Sequence, residues 1–181
     1  MRWPVLLLLL CLAACDEQPP RRSAFGYSVS AEVEPYVASW RAEFPEHIGR
    51  LTLGWAEDLD PTWQGWKEGS IAYCRGDGLI AILHSWWQDA SPEARQVTVW
   101  HELGHCWGRI ECHDTRIVRL LDTKRYRSAS IMYPSIDMTW HNWEAHSQEY
   151  IADMHLALAD PEAYCSKEET EDASSTLNLY P

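Results

Sequence analysis

His101-Glu102-Leu103-Gly104-His105 holds two imidazoles four residues apart, with a carboxylate beside the first. On a helix such a pair lies about 40° apart around the axis, roughly one turn up. Both rings can therefore reach one Zn²⁺ and leave part of its tetrahedron to other ligands. Glu102 points beside the metal, where a carboxylate can take a proton from a coordinated water. The same five letters also occur on the wet face of ordinary helices. The pattern gains weight only if the chain supplies a helix, a third ligand and a pocket.

The helix is well marked. Ser91-Pro92-Glu93 offers an N-cap, a proline at the first helical position and an acid in the first turn. Ala94, Val97, His101 and His105 recur at helical spacing, with Gly104 giving close approach on the same side. Gly108 follows His105-Cys106-Trp107, where a left-handed residue should end the helix. The spacing predicts a helix over 92–107, with the histidine pair in its last two turns.

In this setting His101, Glu102, His105 and Gly108 fall in the register of HExxHxxG, and Ser130-Ile131-Met132-Tyr133-Pro134 follows. The segment resembles the metzincin clan of zinc peptidases, whose pattern is HExxHxxGxxH followed by a methionine turn. It also resembles bacterial envelope proteins with HELGHC, a downstream His-Asp and SIM-x-P. The resemblance covers 91–134 firmly and 34–160 loosely. It implies an α+β, zincin-like fold: a small twisted mixed sheet, the active-site helix, the Met-turn and a C-terminal helix packed beneath the site. It further implies Met132 as an apolar floor under the metal, not a ligand.

One position departs from the clan. Three residues after Gly108 stands Glu111, not histidine; the nearest histidine is His113, followed by Asp114. A loop longer by two residues would bring His113 to the metal, with Asp114 as a supporting acid. Glu111 could itself coordinate through oxygen. Glu149-Tyr150-Ile151-Ala152-Asp153 resembles the ExxxD helix that supplies a glutamate ligand in gluzincins. His113 is the preferred third ligand, because gluzincins need no Met-turn, with Glu149 and Glu111 as alternatives.

The first residues read as an address. Arg2, a short apolar run from Val5 and Leu12-Ala13-Ala14-Cys15 resemble a bacterial lipoprotein signal over 1–14, with Cys15 lipidated. The run is shorter than the roughly 20 residues a spanning helix requires. Residues 15–30 then form a tether, 31–165 the catalytic domain, and 166–181 an acidic tail of disordered composition. The expected location is the bacterial cell envelope, lipid-anchored and facing periplasm or exterior, with the choice of membrane open. In an exported chain the remaining cysteines suggest two disulfides. The favoured pairs are Cys74–Cys106, stapling a strand to the active helix, and Cys112–Cys165, tying the ligand loop to the C-terminal helix. Cys106–Cys112 is the alternative, and a Cys/His zinc cluster the functional rival.

A formal net charge of -12 argues against binding a nucleic-acid backbone. Periodicity predicts a helix over Glu34–Phe44 and strands over Ile48–Trp55, Ser70–Cys74 and Leu79–Leu83, the last two joined by a tight turn at 75–78. Leu79–Leu83 is a candidate sheet edge for an extended peptide. Trp143–Leu158 reads as a helix on which His146 and His155 are structural; His84 and His141 lie nearer the expected cleft. Most of the tryptophans are expected in the core, with Trp63/Trp66 and Trp86/Trp87 as candidates for lining a groove.

The function these residues imply is a membrane-anchored zinc metallopeptidase, an endopeptidase sooner than an exopeptidase, acting on peptide or protein as a monomer by default. One Zn²⁺ on His101, His105 and His113 activates water, with Glu102 as general base. Tyr133 is a candidate partner for the reacting oxygen, and residues 135–141, with Met138 and Trp140, a candidate pocket wall. The rival class is a non-catalytic zincin-like lipoprotein that binds peptide or glycan.

Overall fold

The computed structural model describes residues 31–58, 69–76, 78–120, 126–135 and 139–166. Helix α1 (Glu34–Glu43) leads into β1 (Thr52–Trp55), a 3-10 turn (Ala56–Asp58), β2 (Ala72–Arg75) and β3 (Leu79–Ile82). A short α2 (His84–Asp89) precedes α3 (Pro92–Cys106), which carries the histidine pair. Strands β4 (Ile117–Arg119) and β5 (Tyr126–Ser128) form an antiparallel pair, and α4 (Trp143–Ala159) closes the set, followed by a helical segment over 161–166. The class is α+β. The lipidation candidate Cys15, the tether, most of the acidic tail, Trp63, Trp66 and Met138 lie outside the described residues.

The sheet corrects one expectation. Its order is β1-β3-β2, with β1 parallel and β2 antiparallel to β3. Leu79–Ile82 is therefore the central strand, buried at all four positions, and cannot be an edge. Its unbroken apolar run is what a strand covered on both faces requires. Among the described residues the edge on the α3 side is β2. Strand β1 is shorter than the alternation over Ile48–Trp55 predicts, because tryptophans claim the preceding backbone. The Trp40 indole donates to the His47 carbonyl at 3.0 Å, and that of Trp107 donates to the Arg50 carbonyl at 3.0 Å.

Aromatic packing joins α1, α3 and α4. Trp40 and Trp100 meet edge to face at 5.8 Å between centroids, and Trp100 meets Trp143 at 5.6 Å. Trp40 and Trp87 are fully buried, so indoles do supply much of the interior. Trp86 and Trp87 part company: Trp87 enters the core, whereas Trp86 faces the cleft described below.

The start of α3 follows its sequence signals, with Ser91 Oγ accepting the Ala94 N–H at 3.2 Å. Its end does not. The left-handed residue is Arg109, at φ 56°, and not Gly108. Gly108 is required for proximity instead: a Cβ there would lie 2.6 Å from the Gly104 carbonyl oxygen and would strike Leu158 on α4. Gly108→Ala is expected to cost about 1–3 kcal/mol by overpacking, measured as a shift in the urea midpoint.

Two disulfides join the layers. Cys74–Cys106 ties β2 to the last residue of α3, and Cys112–Cys165 ties the loop after α3 to the 161–166 segment. Replacing Cys74 and Cys106 together by serine should lower stability by about 2–4 kcal/mol, read as a fall in Tm of roughly 10 °C for a domain of this size.

Candidate metal centre

Helix α3 presents His101 and His105 one turn apart, and the loop beyond it brings back His113. The Nε2 atoms of His101 and His105 are 3.2 Å apart, as are those of His105 and His113. Three nitrogens each about 2.0–2.1 Å from a tetrahedral metal would stand roughly 3.3 Å from one another. Both of these separations match edges of one coordination tetrahedron, and all three ligand atoms lie within 4.8 Å of one another. Among the described residues this is the group of three or more His, Cys, Asp or Glu side chains able to hold a metal ion.

The other ring nitrogens explain why these atoms converge. His101 Nδ1 donates to the Ile131 carbonyl at 2.8 Å, and His105 Nδ1 to the Ile110 carbonyl at 2.5 Å. Each bond fixes its tautomer and leaves an Nε2 lone pair aimed at the centre. Burial, reinforced by the neighbouring imidazoles, pushes His101 down to about 3. Burial also pushes His105 down to about 4, against the pull of the Ile110 carbonyl. Both rings are therefore neutral at neutral pH, so their facing Nε2 atoms have no proton to share. A cation satisfies that arrangement. The donor set fits a metal that prefers imidazole nitrogen, and Zn²⁺ is one such ion.

Glu102 lines the same cleft and is almost fully buried. Burial pushes its carboxyl up to about 8, while a hydrogen bond from the Cys74 backbone on β2 pulls the other way. A nearby dication would favour the carboxylate. Met132 is fully buried and packs against α3 at Gly104, where an added Cβ would lie 2.7 Å from its Sδ. Gly104 thus lets the Met132 thioether press against α3 between the two histidines.

The remaining candidates take other places. Glu111 is exposed on the rim of the cleft and outside the three-histidine group. Glu149, on α4, pairs with Arg127 and accepts from His146 Nδ1 at 3.1 Å. Tyr133 is half-buried and is not among the residues lining the cleft, whereas Pro134 and Ser135 are. His84 packs on Trp55, His141 on Trp140, and His155 against Glu43. The cleft has a volume of about 1170 Å³ and runs between Ile71 with the first three residues of β2 and the histidines, with Trp86 and Thr98 along it.

Sequence reasoning named Asp114 as a supporting acid beside His113 but missed its side-chain partners, Arg116 and Tyr164, and the buried polar node they form. Asp114 is fully buried and accepts from Arg116 Nε at 2.9 and 3.0 Å, and from its terminal nitrogen at 2.5 Å. The Tyr164 hydroxyl lies 2.9 Å from Asp114 Oδ2, 2.8 Å from Asp153 Oδ2 and 3.0 Å from Ser130 Oγ. The adjacency of Asp114 to His113 was a visible signal; Tyr164, fifty residues on, gave none. Burial opposes ionisation of Asp114, but hydrogen bonds and charge from Arg116, with help from Tyr164, hold its carboxyl below the usual range. Because the folded value is the lower one, this stability is complete above the unfolded value of about 3.9. It is lost as pH falls through the folded value. Asp114→Asn should cost about 2–3 kcal/mol at pH 7, below the full loss from breaking a buried pair because half-exposed Arg116 can turn to water. The deficit should shrink in acid, as urea titrations at several pH values would show.

No protein-family model, curated protein or solved structure matches this chain.

Proposed function

We propose that the protein is a zinc metallopeptidase of metzincin-like architecture. The observation that carries the reading is the convergence of three imidazole nitrogens within 4.8 Å of one another beside a buried glutamate, in an open cleft. His101, His105 and His113 would hold the ion and leave a fourth position towards the cleft. Zinc there would supply Lewis acidity to a water and to the scissile carbonyl. Glu102 takes the proton released by that water and delivers it to the leaving amine. The Ile131 and Ile110 carbonyls hold the two helix histidines in the ligating tautomer throughout. The rim of β2 borders the cleft as an edge strand, a surface on which an extended peptide can bind through its backbone. This takes over the role first expected of Leu79–Leu83.

The buried Glu102 favours catalysis over the binding-module alternative, since binding alone has no use for that carboxylate. Glu149 pairs with Arg127, which weighs against the gluzincin alternative. Anchoring through Cys15 in a bacterial envelope belongs to the same proposal, and two disulfides suit an oxidising compartment. No helix among the described residues is long and apolar enough to cross a membrane.

The test is a peptide library incubated with the full chain, with and without a chelator and with zinc returned, alongside the metal content of the protein. Cleavage that chelation abolishes and zinc restores supports the proposal. Bound metal with no cleavage of any peptide would favour the binding module. A folded protein that takes up no metal would overturn the reading.

A further inference from the structure

His113 differs from the two helix histidines in where it stands. It is exposed, on a loop, while His101 is buried within α3. An exposed side chain on irregular backbone has freedom to lose before it can ligate. Yet both of its neighbours are fixed, and by one adjacent pair of residues. Cys112 is bonded to Cys165, and Asp114 meets the hydroxyl of Tyr164. The third ligand is thus flanked by two attachments to the 161–166 segment, one covalent and one polar.

The same hydroxyl reaches further. Ser130 Oγ, 3.0 Å from it, accepts the Met132 N–H at 3.0 Å, and the Asp114 N–H donates to the Met132 carbonyl at 2.9 Å. The intervening Ile131 supplies the carbonyl that orients His101. Arg116 spans Asp114 and Asp153, so α4 is joined to the group as well. Tyr164 therefore sits where the His113 loop, the turn beneath His101 and α4 are set against one another.

We propose that Tyr164 and Cys165 form a clamp that presents His113 to the metal, with Tyr164 a positioning residue of the centre. This rests on the reading of His113 as the third ligand. A hydroxyl that served only the stability of the fold would leave metal affinity unchanged, or would alter it whether or not His113 were present. A hydroxyl that acts through His113 matters only while His113 is there.

The experiment is a double-mutant cycle on the full chain. Zinc affinity is measured by competition with a chromophoric chelator for the parent, Tyr164→Phe, His113→Ala and the double variant, with tryptophan fluorescence as the check on folding. Tyr164→Phe should weaken zinc binding about 10–100-fold in the parent, the range for groups that orient a ligand. In the His113→Ala background it should change affinity by less than about 2-fold. The Cys112→Ser/Cys165→Ser pair should behave in the same way, and it carries the test if Tyr164→Phe does not fold. Equal losses in both backgrounds, or no loss in the parent, would overturn the clamp while leaving the metal centre standing. A folded parent that binds no zinc would overturn the metal centre, and the clamp with it.

Discussion

On the proposed peptidase reading, Glu102→Gln is expected to lower peptide hydrolysis by about 10²–10⁴-fold, the span usual for loss of a general base, while zinc uptake is retained. Glutamine preserves the shape of the side chain but cannot accept the proton. Glu102 lies outside the group of metal-binding atoms formed by the three histidines, so the substitution should leave the proposed metal site intact. The substitution also replaces a buried carboxyl by a neutral amide, and the carboxyl is already pushed up to about 8 by burial. Folding should therefore survive. Turnover of a cleavable peptide and zinc content of the same sample decide the matter together. Unchanged turnover would remove Glu102 from the chemistry; lost zinc would make it part of the coordination.

His113→Ala is expected to weaken zinc binding by more than 100-fold. Removing a group that only orients a ligand costs about 10–100-fold, and removing a ligand should cost more. Two histidines on one helix would remain, and both stay oriented by their carbonyl partners. The variant should fold, because the exposed His113 ring contributes little to the core. Zinc content after exhaustive dialysis, beside the parent, reads the effect. Equal zinc in both would exclude His113 as a ligand and return attention to Glu111 on the rim.

The parts legible in the sequence were those governed by local rules. Ser91-Pro92 marked the start of α3, i,i+4 spacing aligned His101 with His105, and Ser130–Pro134 marked a turn whose methionine is buried under Gly104. What resisted was non-local. Leu79–Ile82 has the same apolar run whether it is central or at an edge; only pairing on both sides with β1 and β2 decides. Gly108 looked like a left-handed terminator, but the approach of Leu158 on α4 imposes glycine there, and the positive φ passes to Arg109. Strand β1 lost its first residues to the indoles of Trp40 and Trp107. The short α2 escaped notice because its six residues include two tryptophans and carry too little periodicity. At the site, His101 and His105 were recognisable from spacing and His113 from the Met-turn resemblance, whereas Tyr164 and Asp153 became partners of Asp114 only through the fold.

The parting of Trp86 from Trp87 has an optical consequence. The eleven tryptophans of the chain include interior indoles such as Trp40 and Trp87, whose emission follows the integrity of the core. Trp86 faces the cleft instead. A ligand settling beside it would change that indole's surroundings without disturbing the buried indoles of Trp40 and Trp87. A paramagnetic ion placed on the histidines would darken the nearest rings first. The molecule carries its own occupancy gauge, readable without any attached label.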